Sequence, residues 1–384
     1  MATKFKINNL HFNILNLFFL GIFIRFGLAY FFSGNVSFLF GIASNDAIGF
    51  SRYAKNISSN FSLLTIIESL DYNLYPVLLS FVYKILYPSN FIGNCFTVLL
   101  WCHSFFIINK ILTYFKISKI SIFISLLYFC LSPTICIFSS VTLRDFIIFY
   151  FILNLIFFIL RFINKKKLLD IFMCIISISL IYYLHKQFLL LFLFFSLSLY
   201  IFVKIFLILN KGFNINKFFI LSFFLFIFCI VNLIDIGNTF SSLNGFQSGA
   251  LVEQTIGRAN YLQSTYLIDD IFTFIFYIIR NFTLYLLEPT FYNINNILLV
   301  DLVIIFEKLF KIFVMFLFII YFIYRKSQIN NQKILIFTFL IIADLSFSLG
   351  TFNWGTAFRH QVITFGLLTF LIAFVLDEMV IKNE

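Results

Sequence analysis

Apolar runs of roughly 17 to 25 residues recur along this chain, and each is long enough to cross ~30 Å of hydrocarbon as a helix. Hydrophobic residues make up 62% of the sequence and charged residues 11%, whereas soluble domains carry about 25% charged residues. The alternating ten-residue patterns of a membrane barrel are absent. The backbone N–H and C=O groups must therefore form their hydrogen bonds within helices where the chain crosses lipid. The sequence therefore predicts an all-α, polytopic integral membrane protein.

About ten of these runs have the length and composition of membrane-spanning helices. The predicted spans are Ile14–Phe32, Phe91–Leu112, Ile120–Phe138, Phe146–Phe162, Leu168–Leu184, Phe188–Leu209, Phe218–Ile234, Leu302–Tyr324, Ile334–Leu349 and Val362–Val380. Since no repeat period and no low-complexity linker is present, residues 1–384 are expected to form a single transmembrane domain.

Three long segments between the spans are polar or amphipathic. Segment 34–61 is expected to be an external loop, and segment 62–88 one or two helices in the outer interface. Segment 237–296 is a second long external region, in which Ile271–Leu287 is again expected to lie in the interface. These segments would bring polar side chains together on the outer face of the membrane.

Positive charge sets the predicted orientation. With both termini cytoplasmic, most of the 27 Lys and Arg residues fall at cytoplasmic helix ends, including Lys116, Lys119 and 165–167, as the positive-inside rule requires. The run after the N-terminus has no small-residue cleavage site, so it is expected to remain as the first helix. The net charge of +11 is spread over short loops, which argues against a nucleic-acid partner.

The predicted outer face gathers an acidic residue and many cations. Asp46 is the candidate catalytic carboxylate, and guanidinium forks and ammonium groups are suited to phosphate. The candidate phosphate-binding or substrate-binding residues are Arg52, Arg144, Lys186, Arg258, Arg280, Arg359 and His360. No His, Cys or carboxylate set has the spacing of metal ligands, so no metal site is predicted.

Each of these residues also has a purely structural interpretation. Arg144, with Asp145, would flank a helix start, and Lys186 and Arg280 would snorkel to the interface. His360 would hydrogen-bond within a loop, and Asp46 would be an ordinary solvated loop residue. These alternatives remain open at the level of sequence.

Two charges, Arg25 and Asp344, lie deep inside predicted spans. Charged residues at such depth face the protein interior, where they are functional or pair with one another. The sequence leaves both options open.

Several residues between Leu17 and Leu160 give the chain a family resemblance. They are Asn45-Asp46-Ala47, Phe50, Tyr53-Ala54, Tyr75-Pro76, the run Leu78–Tyr83, and Pro133 ahead of S-S-V-T-L-R-D. The pattern resembles the C-type (GT-C) membrane glycosyltransferases that use polyprenyl-phosphate sugar donors, such as the protein mannosyltransferases and the aminoarabinose transferases. The long region near Gly237–Asp270 and the terminal Arg359 are similar to Wzy-type O-antigen polymerases.

The resemblance implies a GT-C-like fold in the bacterial inner membrane and a role in cell-surface polysaccharide synthesis. A polyprenyl-(di)phosphate-linked saccharide would be the donor, with Asp46 as the base for an acceptor hydroxyl, and no other cofactor is expected. Many such enzymes carry a paired acidic motif in the first loop, whereas Asp46 has Asn45 and Ala47 as neighbours. The expected partners are the bilayer, the lipid-linked saccharide and other polysaccharide-assembly proteins.

Two alternatives to single-sugar transfer remain. One is a Wzy-type repeat-unit polymerase, which handles the same class of carrier. The other is a flippase or transporter of lipid-linked saccharides, which would need polar residues at mid-span and broken helices.

Overall fold

A computed structural model describes residues 8–35, 44–70, 74–186, 188–193, 196, 271–288, 299–324, 331–349, 351 and 354–381. Every regular element with defined bounds in these ranges is a helix, which confirms the all-α prediction. The helices are α1 (Asn8–Gly34), α2 (Ser44–Ser59), α3 (Leu63–Leu70), α4 (Leu74–Ile85), α5 (Asn90–Tyr114), α6 (Lys119–Leu131), α7 (Pro133–Phe138), α8 (Arg144–Lys165), α9 (Leu168–Leu184), α10 (Ile271–Leu287), α11 (Leu299–Tyr324), α12 (Asn331–Ser348), α13 (Trp354–His360) and α14 (Val362–Ile381).

Four of the described helices are long and apolar enough to cross a membrane. They cover Ile14–Gly34, Asn90–Tyr114, Arg144–Lys165 and Val362–Met379. These features support a membrane-associated helical protein. The predicted spans Phe188–Leu209 and Phe218–Ile234 lie mostly or wholly outside the described residues.

The prediction of one continuous helix over Ile120–Phe138 is wrong, because the structure breaks it into α6 and α7 at Ser132. Pro133 has no N–H, so it cannot donate to the Phe129 carbonyl as the next turn of a helix would require. Arg25 replaces that donor: its Nη2 lies 3.1 Å from Phe129 O and its Nη1 lies 3.0 Å from Cys130 O. The buried guanidinium therefore satisfies the carbonyls at the end of α6.

The opposite side of the break is satisfied by a carboxylate from α11. Glu307 accepts hydrogen bonds from Ser132 Oγ at 2.6 Å and from the backbone N–H of Thr134 at 3.0 Å, and also from the Thr134 hydroxyl. A carboxylate at a helix N-terminus complements the helix dipole and its unpaired N–H groups. A cation from α1 and an anion from α11 thus hold the two ends of the broken helix.

Segment 34–61, expected to be a loop, is largely helical, since α2 covers Ser44–Ser59. Buried Ala47, Ser51, Ala54 and Ser58 recur at helical spacing and form one face that packs against α4. Ser51 Oγ lies 2.8 Å from the hydroxyl of Tyr83 on α4. Small residues thus allow α2 to pack closely against α4. Because α2 lacks large apolar side chains on this face, its sequence does not show the usual pattern of a buried helix.

The contacts group the chain into two compact units, Met1–His185 with Ile297–Leu340 and Phe358–Glu384, and Lys186–Asn296 with Ile341–Ala357. In the first unit, α14 is almost wholly buried and packs against α6, α8 and α11. In the second unit, the Tyr277 hydroxyl donates to Leu349 O at 3.1 Å, and Phe188 stacks on Phe347. The single-domain prediction stays a prediction.

Candidate functional site

Three helix ends meet within the first unit. Asp46 lies in the first turn of α2, Asp145 lies in the first turn of α8, and Arg359 and His360 lie in the last turn of α13. Acidic side chains are favoured at helix N-termini and basic ones at C-termini, so each residue suits its position. We call Asp46, Arg144, Asp145, Arg359 and His360 the Arg359 cluster.

Arg359 is held between two carboxylates. Its Nη1 pairs with Asp46 Oδ2, and its Nε lies 3.1 Å from Asp145 Oδ2. The two anions differ in exposure, because the Asp46 side chain is 49% exposed while that of Asp145 is fully buried. Burial alone would lower the pKa of Arg359, but the charges of Asp145 and Asp46 raise it above its usual value. The guanidinium is therefore charged, with one fixed partner and one at the surface.

Asp145 also orients the residue next to Arg359. Its Oδ1 lies 2.7 Å from Nδ1 of His360, so an ionised Asp145 accepts the Nδ1 hydrogen and makes Nε2 the acceptor nitrogen of a neutral ring. Burial lowers the pKa of His360, although the charge of Asp145 acts in the opposite direction. One buried carboxylate therefore fixes both a guanidinium and an imidazole.

A second imidazole lies beside the first. The ring centroids of His185 and His360 are 5.9 Å apart in an edge-to-face arrangement. Burial, together with the positive charge of Arg144, lowers the pKa of His185 to about 3. Both rings are thus neutral near pH 7, and the cations of the cluster are its arginines.

Arg144 belongs to the Arg359 cluster but forms no direct ion pair with Asp46. Its charge interacts with Asp145, Arg359 and Asp46, and its guanidinium carbon lies 5.9 Å from the ring centroid of Phe50 on α2. This distance is within the range of a cation–π contact. The cluster therefore combines two guanidinium groups with two carboxylates.

The structure brings together four of the predicted site residues, Asp46, Arg144, Arg359 and His360; their roles stay predictions. Arg52 is exposed on α2 and is not part of the Arg359 cluster. Lys186 and Arg280 belong to the second unit, and Arg258 lies outside the described residues. Within those residues, no group of three His, Cys, Asp or Glu side chains could hold a metal ion.

Asp145, the central member of the cluster, is not among the site residues predicted from sequence, where its position at a helix start indicated a structural role. A signal was present: Asp145 directly precedes a long apolar run and follows Arg144, and the pair Arg359-His360 similarly precedes the last span. Charged pairs at two span ends on the same predicted side are expected to meet. His185, whose ring lies beside that of His360, is likewise absent from the site residues predicted from sequence.

Comparisons of the chain with protein-family models, curated proteins and solved structures found no match. The resemblance to GT-C glycosyltransferases therefore rests on the sequence pattern alone. Chemically, the cluster offers a buried, charged guanidinium, a half-exposed carboxylate paired with it, and a buried carboxylate that fixes its orientation. Such an arrangement can bind an oxyanion and accept a proton close to it.

Proposed function

We propose that the protein is a GT-C-like membrane glycosyltransferase. It transfers a sugar or oligosaccharide from a polyprenyl-(di)phosphate carrier to an acceptor hydroxyl at the outer face of the bacterial inner membrane. In this proposal the chain crosses the membrane about ten times with both termini cytoplasmic. The observation that carries the proposal is the guanidinium of Arg359 held between half-exposed Asp46 and buried Asp145.

Donor binding begins with an exchange at Arg359. A phosphate oxygen accepts from a guanidinium in the same way as a carboxylate oxygen does, so the donor phosphate replaces Asp46 at Nη1. Asp145 stays at Nε, because it is fully buried and bonded to His360 as well. The exchange releases the Asp46 carboxylate beside the bound phosphate.

Transfer then uses the released carboxylate as a general base. Asp46 takes the proton of the acceptor hydroxyl, whose oxygen attacks the anomeric carbon as the bond from that carbon to the phosphate oxygen breaks, with inversion. Arg359 and Arg144 stabilise the negative charge on the departing phosphate, and such electrostatic stabilisation is often the largest catalytic term. General-base catalysis contributes about 10²–10⁴-fold.

Substitution of Asp46 tests this role. In proteoliposomes supplied with a polyprenyl-phosphate sugar and an acceptor, Asp46→Asn should lower transfer by at least about 10²-fold while the protein is still expressed and folded. The matched control is Glu68→Gln, which neutralises an exposed carboxylate on α3 and should keep wild-type transfer. Wild-type product formation by Asp46→Asn would end the proposal.

Repeat-unit polymerisation is the same chemistry with a longer donor. The surface polysaccharide of a deletion strain separates the two possibilities on a gel. Loss of the long-chain ladder with one retained repeat unit indicates a polymerase, and loss of a single sugar indicates a transferase.

The broken helix α6–α7 favours a second candidate function, the translocation of a lipid-linked saccharide. Discontinuous helices and buried charges such as Arg25 and Glu307 are typical of transporters. Proteoliposomes without acceptor distinguish this function: a flippase would move a labelled lipid-linked saccharide between leaflets, and a transferase would not.

A further inference from the structure

An apolar groove lies on the first unit, between α1, the second half of α5 and the start of α6. Its volume is about 480 Å³, which is within the range of ~300–1,000 Å³ for sites that bind small molecules. Aromatic rings form one part of its wall: Phe18 lies 4.7 Å from Phe106 and 5.3 Å from Phe105, between ring centroids. This part offers only hydrocarbon contacts.

The other part of the groove is cationic. Lys116 and Lys119 line it at the turn between α5 and α6, and both are exposed. The turn is well fixed, because the Ser118 N–H donates to Asp377 Oδ1 at 2.6 Å and the Ile117 N–H donates to Leu112 O at 3.3 Å. Lys116 has a φ of 56°, a left-handed conformation in which helices usually end on glycine. Two ammonium groups are therefore presented at one end of a hydrocarbon surface.

We propose that this groove binds an anionic phospholipid. One acyl chain lies along the aromatic wall, and the phosphate headgroup pairs with Lys116 and Lys119. A soluble phosphate compound would not use the apolar wall, and a zwitterionic lipid would bring its own cation to the two ammonium groups. The combination of an apolar wall with cations at one end therefore selects a lipid with net negative charge.

The groove is remote from the Arg359 cluster. The first residue of α5, Asn90, accepts a hydrogen bond from Ser51 on α2 at 2.8 Å, so this end of α5 adjoins the helix that carries Asp46. Lys116 follows the other end of the same 25-residue helix, about 37 Å away at ~1.5 Å per residue. The inference rests on the proposed topology, which places the α5–α6 turn in the cytoplasmic leaflet, and does not depend on glycosyl transfer.

Native mass spectrometry of the full-length protein tests the proposal with phosphatidylglycerol and phosphatidylcholine of identical acyl chains. Wild-type protein should retain phosphatidylglycerol more strongly, and the double substitution Lys116→Gln/Lys119→Gln should lower this retention by at least about fivefold. Phosphatidylcholine retention should not change. Lys166→Gln is the matched control, because Lys166 is also exposed and also ends its helix with positive φ but does not line the groove.

A second variant tests the apolar wall. Leu15 lines the groove and is 47% exposed, so Leu15→Trp should fill the space and lower the retention of both lipids. Equal retention of the two lipids by wild-type protein, or unchanged phosphatidylglycerol retention in the double variant, would overturn the proposal. A third result would also overturn it: a dimeric wild-type protein that becomes monomeric in Leu15→Trp without losing lipid. That result would show that a second copy of the chain occupies the groove. Asp46→Asn should retain phosphatidylglycerol as wild type does. Lipid binding in the groove can therefore be tested separately from glycosyl transfer.

Discussion

Asp145 is the residue on which the geometry of the Arg359 cluster depends. It is fully buried, and its two oxygens contact Arg359 and His360 separately. Removing one partner of a buried charge pair leaves the other charge uncompensated, at a cost of about 3–5 kcal/mol. Its contribution therefore concerns both folding stability and the orientation of the Arg359 guanidinium.

Asp145→Asn should lower the midpoint of thermal unfolding and weaken the binding of a short-chain polyprenyl phosphate. The amide keeps the size of the side chain but loses the charge that holds Arg359. Both quantities can be measured in detergent, with Glu68→Gln as a control that should change neither. An Asp145→Asn protein with wild-type unfolding and wild-type binding would show that Asp145 does not position Arg359.

The two histidines predict how stability depends on pH. The pKa of His185 is lowered to about 3 and that of His360 is lowered as well, so the unfolded chain binds protons more readily than the folded one. The stability due to their neutral rings is complete above about pH 6.5, the ordinary pKa of histidine. It decreases as the pH falls from there towards 3.

Thermal unfolding measured from pH 8 to pH 4.5 should show this decrease. Between pH 6.5 and pH 5, His185 alone should account for a loss of about 1–2 kcal/mol. His185→Asn should make the profile flatter over the same interval. A wild-type midpoint that rises as the pH falls below 6.5 would contradict this interpretation.

At the scale of helices, the sequence predicted elements well where a long apolar run coincides with one continuous helix. The predicted span Phe91–Leu112 lies within α5, and Ile271–Leu287 has the same bounds as α10. The break at Ser132 was not predicted, although Pro133 was visible in sequence. Its two ends depend on Arg25 and Glu307, which are remote in the chain and cannot be assigned to it by local pattern.

The contact between α14 and α8 gives a stability prediction at this scale. A Cβ on Gly366 would overlap the ring of Phe149, which is fully buried and therefore cannot move aside easily. Gly366→Ala should lower the free energy of unfolding by about 1–3 kcal/mol through overpacking.

Gly27 on α1 provides the matched control for this substitution. No atom lies within 4 Å of the position that its Cβ would take. Because alanine has the higher helix propensity, Gly27→Ala should be neutral or stabilising by up to about 1 kcal/mol. Equal effects of the two substitutions on the unfolding midpoint would refute close packing at Gly366.

At the scale of the whole molecule, composition and the length of the apolar runs were enough to predict the helical class. The sequence also predicted that Asp46, Arg144, Arg359 and His360 belong together, from their type and their predicted side of the membrane. It could not predict which pairs form, because the ion pair of Asp46 with Arg359 joins positions 313 residues apart. Pairing at that separation depends on how the helices pack.

The central claim is that the donor phosphate replaces Asp46 at Arg359. Its most direct test is the affinity of the Asp46→Asn protein for a short-chain polyprenyl phosphate. Without the competing carboxylate, the variant should bind this ligand about fivefold more tightly than wild type, even though its transfer activity is expected to be lower. The replacement of Asp46 by phosphate would be contradicted if Asp46→Asn bound the ligand no more tightly than wild type and Arg359→Ala bound it with wild-type affinity.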